Sequence, residues 1–237
     1  MPSSTTNDKG AEALSRILKA IRGPLALALS YQAEDVAALH LLLRCGAEAP
    51  EVFTLDTNRL FPETGEYHRE LEGFFNIVIH AYYPDPEEEQ ALEAELGEWG
   101  MRESLEKRRH CCEVRKVRPL GRVLAGKSAW VTGLRAAQSI TRKELKPLEY
   151  DEQFGLVKIN PLADWSDEDL AAYIERHRIP LNPLYAQGFK SIGCAPCTRA
   201  VQEGEDVRAG RWWWENPDHK ECGLHSRPAA RPAARQG

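Results

Sequence analysis

Four of the six cysteines form two close pairs, Cys111-Cys112 and Cys194-Ala-Pro-Cys197; a fifth, Cys222, stands alone in Glu221-Cys-Gly-Leu-His225. Thiolates ligate zinc and iron–sulfur clusters, and both take four of them. Two half-sites far apart in sequence therefore read as one soft metal centre. Neighbouring residues on a helix point about 100° apart, so Cys111 and Cys112 suit a bulky cluster better than one tetrahedral ion. The order of preference from spacing is iron–sulfur, then zinc, then no metal, with Cys111-Cys112 partly core and Cys194-Cys197 a redox pair. Around the first pair lie Lys107, Arg108, Arg109, His110, Arg115, Lys116 and Arg118. Such a run is ordinarily a solvated helix face. An anionic thiolate centre needs cations, however, and Lys116 falls one helical turn after Cys112, on the same side.

Cys222 sits in polar, glycine-adjacent sequence and reads as a nucleophile rather than as core. An ordinary thiol is only about 3% ionised at neutral pH, and cationic neighbours raise that fraction. Lys220 and His225 flank Cys222, and Arg208 and Arg211 precede it. Cys45 ends an apolar helical run and reads as structural.

These residues need a scaffold to bring them together. Helical spacing is read from Ala11 to Arg22, Asp35 to Arg44, Pro62 to Phe74, Pro86 to Leu96, Cys111 to Leu124 and Ser166 to His177. The last opens on a Ser-x-x-Asp start close to a capping box. Short apolar runs at 25–29, 51–55, 77–79 and 129–132 predict strands. Their alternation predicts an α/β fold, a mostly parallel sheet with helices on both faces and ligands at the carboxyl ends of its strands. Loops at those ends are Ser30 to Asp35, Leu55 to Thr64, and Thr132 to Arg135 followed by Thr141-Arg142. Helix N-terminal amides attract anions and Ser30 adds a hydroxyl, whereas Glu34 and Asp35 oppose a phosphate there. The Ser30 loop alone reads as a plain strand-to-helix turn; three such loops on one sheet edge point to a nucleotide site. The segment from Asn182 to His225 lacks periodicity and carries Cys194, Cys197, Trp212 to Trp214 and Cys222. Residues 11–187 are expected to form a nucleotide-binding domain with the first cysteine pair. Residues 188–226 are expected to form an extension with the second pair and Cys222, with 1–10 and 227–237 disordered.

The 237 residues carry a formal charge of −5 and 42% hydrophobic side chains, which suits one α/β domain with a functional tail. The acidity argues against nucleic-acid binding. No apolar run nears the roughly 20 residues of a membrane span. The N-terminus has no secretory apolar stretch, so a cytoplasmic setting with reduced thiols is expected and a disulfide framework is the weaker reading.

Together these features resemble the adenylyl-sulfate (adenosine 5′-phosphosulfate) reductase branch of the family that also contains the phosphoadenylyl-sulfate reductases. The resemblance runs from about Leu14 to His225. Its carriers are Ser30 to Asp35, Leu55-Asp-Thr57 with Phe61-Pro-Glu-Thr64, Cys111-Cys112 with Arg115-Lys116, Thr132-Gly-Leu-Arg135, Cys194-Ala-Pro-Cys197, Gly210-Arg-Trp-Trp-Trp214 and Lys220-Glu-Cys-Gly-Leu-His225. It implies a nucleotide alpha-hydrolase-like fold related to the PP-loop enzymes, and a 4Fe–4S cluster on Cys111, Cys112, Cys194 and Cys197. It implies that Cys222 is the nucleophile and that Lys116, Arg142, Arg208, Arg211 and His225 contact the phosphosulfate. Ser30, Leu55, Thr57 and Gly133 would lie along the adenosine and phosphate. Gln32 departs from the pattern, standing where many relatives carry glycine.

The implied reaction is reduction of adenylyl sulfate to sulfite and AMP in sulfate assimilation, through a Cys222 S-sulfo intermediate resolved by thioredoxin or glutaredoxin. Competing readings are a reductase of the 3′-phosphorylated substrate, a PP-loop ATP-using transferase, and a zinc-stapled binding module. A homo-oligomer is compatible with the sequence, and the three tryptophans are expected to hold the extension against the core.

Overall fold

Ala26 and Leu27 are fully buried on β1 (Leu25–Ala28), and their side chains point to opposite faces of the sheet. The computed structural model describes residues 5–47, 50–138, 142, 144–216 and 224. β1 pairs in parallel with β2 (Glu51–Leu55) and with β4 (Ala129–Val131), so that Leu27 lies beside Val52 and Val131. These three join the larger core, under the helices Thr5–Ala20 (α1), Ala33–Arg44 (α2), Pro62–Phe75 (α3) and Asp167–His177 (α7). Ala26, Phe53 and Trp130 face the other way, onto Leu120, Val123 and Leu124. Two apolar faces thus require helices on both sides.

The sheet has six strands in the order β3-β2-β1-β4-β6-β5, with β3 at His80–Tyr82, β5 at Leu148–Asp151 and β6 at Leu156–Ile159. All pairings are parallel except β5 with β6. From β1 the chain builds outward through β2 and β3, then returns to place β4 on the other flank of β1. The strand order therefore reverses between β1 and β4, and a crevice opens at their carboxyl ends.

Several elements differ from the sequence expectation. The third strand begins at His80 rather than at Ile77. Asn76 ends α3 in the left-handed conformation, Ile77 N donates to Glu72 O, and Ile79 N donates to Glu72 Oε1 at 2.9 Å, so these amides serve the helix end instead of the sheet. The helix expected from Cys111 starts earlier. Ser104 caps α5 (Leu105–Cys112), a π-helical turn covers Glu113–Val117, and α6 follows at Arg118–Leu124. Pro119 has no amide to donate to the turn before it. The hairpin β5–β6 adds two strands that the apolar runs do not predict; its turn places Gly155 at φ 71°. In addition, α1 begins at Thr5, inside the stretch expected to be disordered.

Between α4 (Pro86–Leu96) and α5 the chain makes only a short 3-10 turn at Gly100–Arg102. From Asn182 onward, two 3-10 turns, Pro183–Gln187 and Ala195–Cys197, and one bridge between Thr198 and Arg211 give the described residues their order. No described helix is long and apolar enough to cross a membrane.

Candidate active site

The crevice between β1 and β4 holds a cavity of about 240 Å³. Its apolar walls are Leu29, Phe53, Leu55, Leu60, Leu120 and Trp130, and its cations are Lys116, Arg135, Arg142, Lys190, Arg208 and Arg211. Of the residues singled out in the sequence, Ser30, Leu55, Lys116, Gly133, Arg142, Arg208 and Arg211 all line it. Sequence reasoning assigns no such place to Lys190 or to the Arg135 side chain, although the one follows Asn182 in the aperiodic segment and the other closes the Thr132 motif. Leu224 also lines the cavity, whereas Cys222 and His225 lie outside the described residues.

The loops after β1 and β4 form one wall of the cavity, and one carboxylate ties them together. Asp35 accepts Ser30 N–H at 2.9 Å, the Ser30 hydroxyl, and Gly133 N–H at 2.8 Å. Burial pushes its carboxyl upward, and these hydrogen bonds pull the other way. A Cβ at Gly133 would overlap Asp35 and the Glu34 backbone, so glycine is required there. The acidic pair is thus part of the frame. Glu34 is held by Arg135 at 2.9 Å, and Arg135 also donates to Asp167 at 2.7 Å. Gln32 acts as a second tie between loops. Its Oε1 accepts Ser191 Oγ and Ile192 N, each at 3.2 Å, and fastens the β1 loop to the segment leading to Cys194.

The four paired cysteines come together beneath the cavity. Cys111 and Cys112 end α5, and Cys194 and Cys197 flank the Ala195–Cys197 turn. All four are free thiols, and they line a single enclosed void with Arg59, Arg108, Arg115 and Lys116. Ala195 N–H donates to Arg59 O at 2.8 Å and fixes the second pair against the β2 loop. Burial and the nearby Cys194 raise the Cys111 thiol, and the same two causes push Cys197 up to about 11. Burial acts in the same direction on Cys194, but there Lys116, Thr57 and Arg211 outweigh it and hold the thiol below its ordinary value.

Thr57, expected along the substrate, is fully buried, with Oγ1 3.2 Å from Cys194 Sγ. Lys116 lines both the cavity and the cysteine void. Arg115 lines the cysteine void but not the cavity, donating to Thr57 O at 2.7 Å and pairing with Glu89 and Glu93.

Among the described residues no three His, Cys, Asp or Glu side chains converge as ligands of a single metal ion. Thiolates are also the ligands of iron–sulfur clusters, in which each cysteine binds its own iron. In donor chemistry and surrounding positive charge, the residues fit such a group.

Comparison with known proteins agrees with this geometry. The adenosine 5′-phosphosulfate reductase of Allochromatium vinosum is 49% identical over 229 residues, covering 94% of this chain and 88% of that protein. The protein of the same name from Burkholderia cepacia is 47% identical over 198 residues, 84% of this chain and 79% of its own. Among solved structures, the phosphoadenylyl-sulfate reductase of Candida auris superposes with a TM-score of 0.64 at 24% identity, covering 85% of this chain and 98% of that one. The FMN adenylyltransferase of Candida glabrata, solved with FAD and pyrophosphate, shares the fold with a TM-score of 0.54 at 15% identity, covering 93% and 77%. The phosphoadenosine phosphosulfate reductase domain matches residues 24–200. These matches show that the chain belongs to the phosphoadenosine phosphosulfate reductase domain family.

Proposed function

We propose that the protein reduces adenylyl sulfate to sulfite and AMP in sulfate assimilation. The observation that carries this reading is the arrangement of Lys116, Arg142, Arg208 and Arg211 around one cavity with an apolar wall at the β1–β4 crevice. An adenine ring suits Leu55, Leu60, Leu120 and Trp130, and a phosphosulfate suits the cations.

The Cys222 thiolate attacks the sulfur of adenylyl sulfate, the bond from sulfur to the bridging oxygen breaks, and AMP leaves. Cys222 then carries an S-sulfo group. A thiolate of reduced thioredoxin or glutaredoxin attacks the Cys222 sulfur and expels sulfite, and the second thiol of that partner resolves the mixed disulfide and is itself oxidised. An anion must approach an anion in the first step. Fixed cations aimed at the reacting group lower that barrier most in a water-poor site. His225 hydrogen-bonds the same oxygens in this reading. Leu224, the residue before it, lines the cavity, which supports placing the segment there.

Cys111, Cys112, Cys194 and Cys197 are the residues that would hold a 4Fe–4S cluster. Bound there, it supplies fixed charge and rigidity beside Lys116, because thiol exchange already delivers both electrons. We assign 11–187 to nucleotide binding and 188–226 to the catalytic extension, and place the reaction in the reducing cytoplasm.

The test is sulfite formation by the purified protein with reduced thioredoxin, comparing adenylyl sulfate and its 3′-phosphorylated form side by side. A higher kcat/KM for adenylyl sulfate is expected. A preference for the 3′-phosphorylated form, or ATP consumption without sulfite, would refute the reading.

A further inference from the structure

Trp212 is 2% exposed and has a φ of 40°, a conformation that a bulky residue holds only when its surroundings impose it. Two guanidiniums stand over its indole: Arg108 and Arg211 are each 4.5 Å from the ring centroid. Both are buried. Arg108 comes from α5, next to the first cysteine pair, and its Nε donates to Glu215 Oε1 at 2.5 Å. Arg211 lines the cavity, and its buried Nε has no hydrogen-bond partner among the described residues. Gly193 makes room for it, since a Cβ there would overlap the Arg211 guanidinium. The Trp212 backbone N–H donates to Cys197 O at 3.2 Å and ties the same residue to the second cysteine pair.

The two cations sharing this ring are not equivalent. Arg108 pairs with Glu215, while Arg211 lines the cavity, where it can meet an anionic ligand. A long, flexible arginine loses rotamer freedom when it binds an anion; one already stacked on a fixed indole has less to lose. We propose that Trp212 is a positioning residue. It holds the Arg211 guanidinium where the phosphosulfate group is received, and Arg108, clamped by Glu215, holds Trp212 in turn. This rests on adenylyl sulfate being the substrate.

The test measures Kd for adenylyl sulfate by calorimetry and KM and kcat by sulfite formation, in wild type, Trp212→Leu, Trp212→Phe and Arg211→Ala, and in both Trp212 variants combined with Arg211→Ala. Trp212→Leu is expected to raise Kd and KM about tenfold, with kcat within about threefold. Trp212→Phe keeps part of the aromatic face and is expected to cost about threefold. In the Arg211→Ala background either substitution should add less than about twofold, because the interaction it removes is already gone. If the leucine variant does not fold, the phenylalanine variant carries the same comparison. An unchanged Kd in both Trp212 variants, or losses of full size without Arg211, would overturn the proposal. Wild-type protein that binds adenylyl sulfate without making sulfite would overturn the reaction but leave the affinity test of Trp212 standing. Wild type that does not bind it would overturn both.

Discussion

Asp35 accepts the backbone N–H of Gly133 at 2.8 Å, across 98 residues of sequence. The same half-buried carboxylate holds Ser30, so one side chain joins the loop after β1 to the loop after β4. Gly133→Ala would force a methyl group into Asp35 and the Glu34 backbone. Overpacking of this kind costs about 1–3 kcal/mol. The variant should unfold at lower urea and bind substrate more weakly; wild-type values for both would show that the two loops are not coupled.

Thr57 Oγ1 stands 3.2 Å from Cys194 Sγ, a contact that would support the cysteine centre. Thr57→Val keeps the shape and removes the contact to Cys194 Sγ. Removing a partner of a metal ligand typically lowers metal affinity about 10–100-fold. Iron and acid-labile sulfide should be lost faster on challenge with a chelator, while KM measured on loaded enzyme stays unchanged. A raised KM with normal iron retention would return Thr57 to the substrate side.

Arg208 lines the cavity. Hydrogen bonds to charged groups are worth about 1.5–3 kcal/mol, so Arg208→Ala should raise the Kd for adenylyl sulfate by about 10–100-fold. Iron content should match wild type. Equal Kd values would remove Arg208 from the binding surface.

Stability should depend on His40, away from the active site. Burial, and then the charges of His177 and Arg44, lower its pKa from 6.5 to about 4. Folding therefore favours the neutral ring, whose Nδ1 stands 2.8 Å from the Tyr173 hydroxyl. This contribution is complete above about pH 6.5 and is lost as the pH falls toward 4. In His40→Gln, which retains an acceptor for Tyr173, urea stability should fall less steeply across that window. An identical slope would assign the acid sensitivity elsewhere.

The central strands were legible because β1, β2 and β4 are short continuous apolar runs, as a sheet buried on both faces demands. The hairpin was not. Leu148 and Tyr150 on β5 are exposed at the sheet edge, and Lys158 on β6 is buried with its ammonium 5.0 Å from the Trp130 ring centre. β5 lacks an apolar run, and in β6 the run of Leu156, Val157 and Ile159 is broken by Lys158. The cations of the site could be read from their motifs, since a motif places a residue in a loop and the fold places that loop at the crevice. Which side of a loop a residue faces could not be read. Thr57 and Leu55 are two residues apart, yet Leu55 lines the cavity and Thr57 meets Cys194. Likewise the Asp35 carboxylate turns inward to two backbone amides, a choice set by contacts far away in sequence. The stacking of Arg108 and Arg211 on Trp212 depends on the folded path of 193–215 and has no local sequence signature.

Cys222 is proposed to take the sulfo group. The most direct measurement incubates the protein, without any reductant, with adenylyl sulfate labelled on sulfur, followed by denaturing, non-reducing electrophoresis. Covalent label is expected on wild type, none on Cys222→Ser, and release of that label as sulfite by reduced thioredoxin. Label retained on Cys222→Ser, or sulfite made by that variant at the wild-type rate, would contradict it.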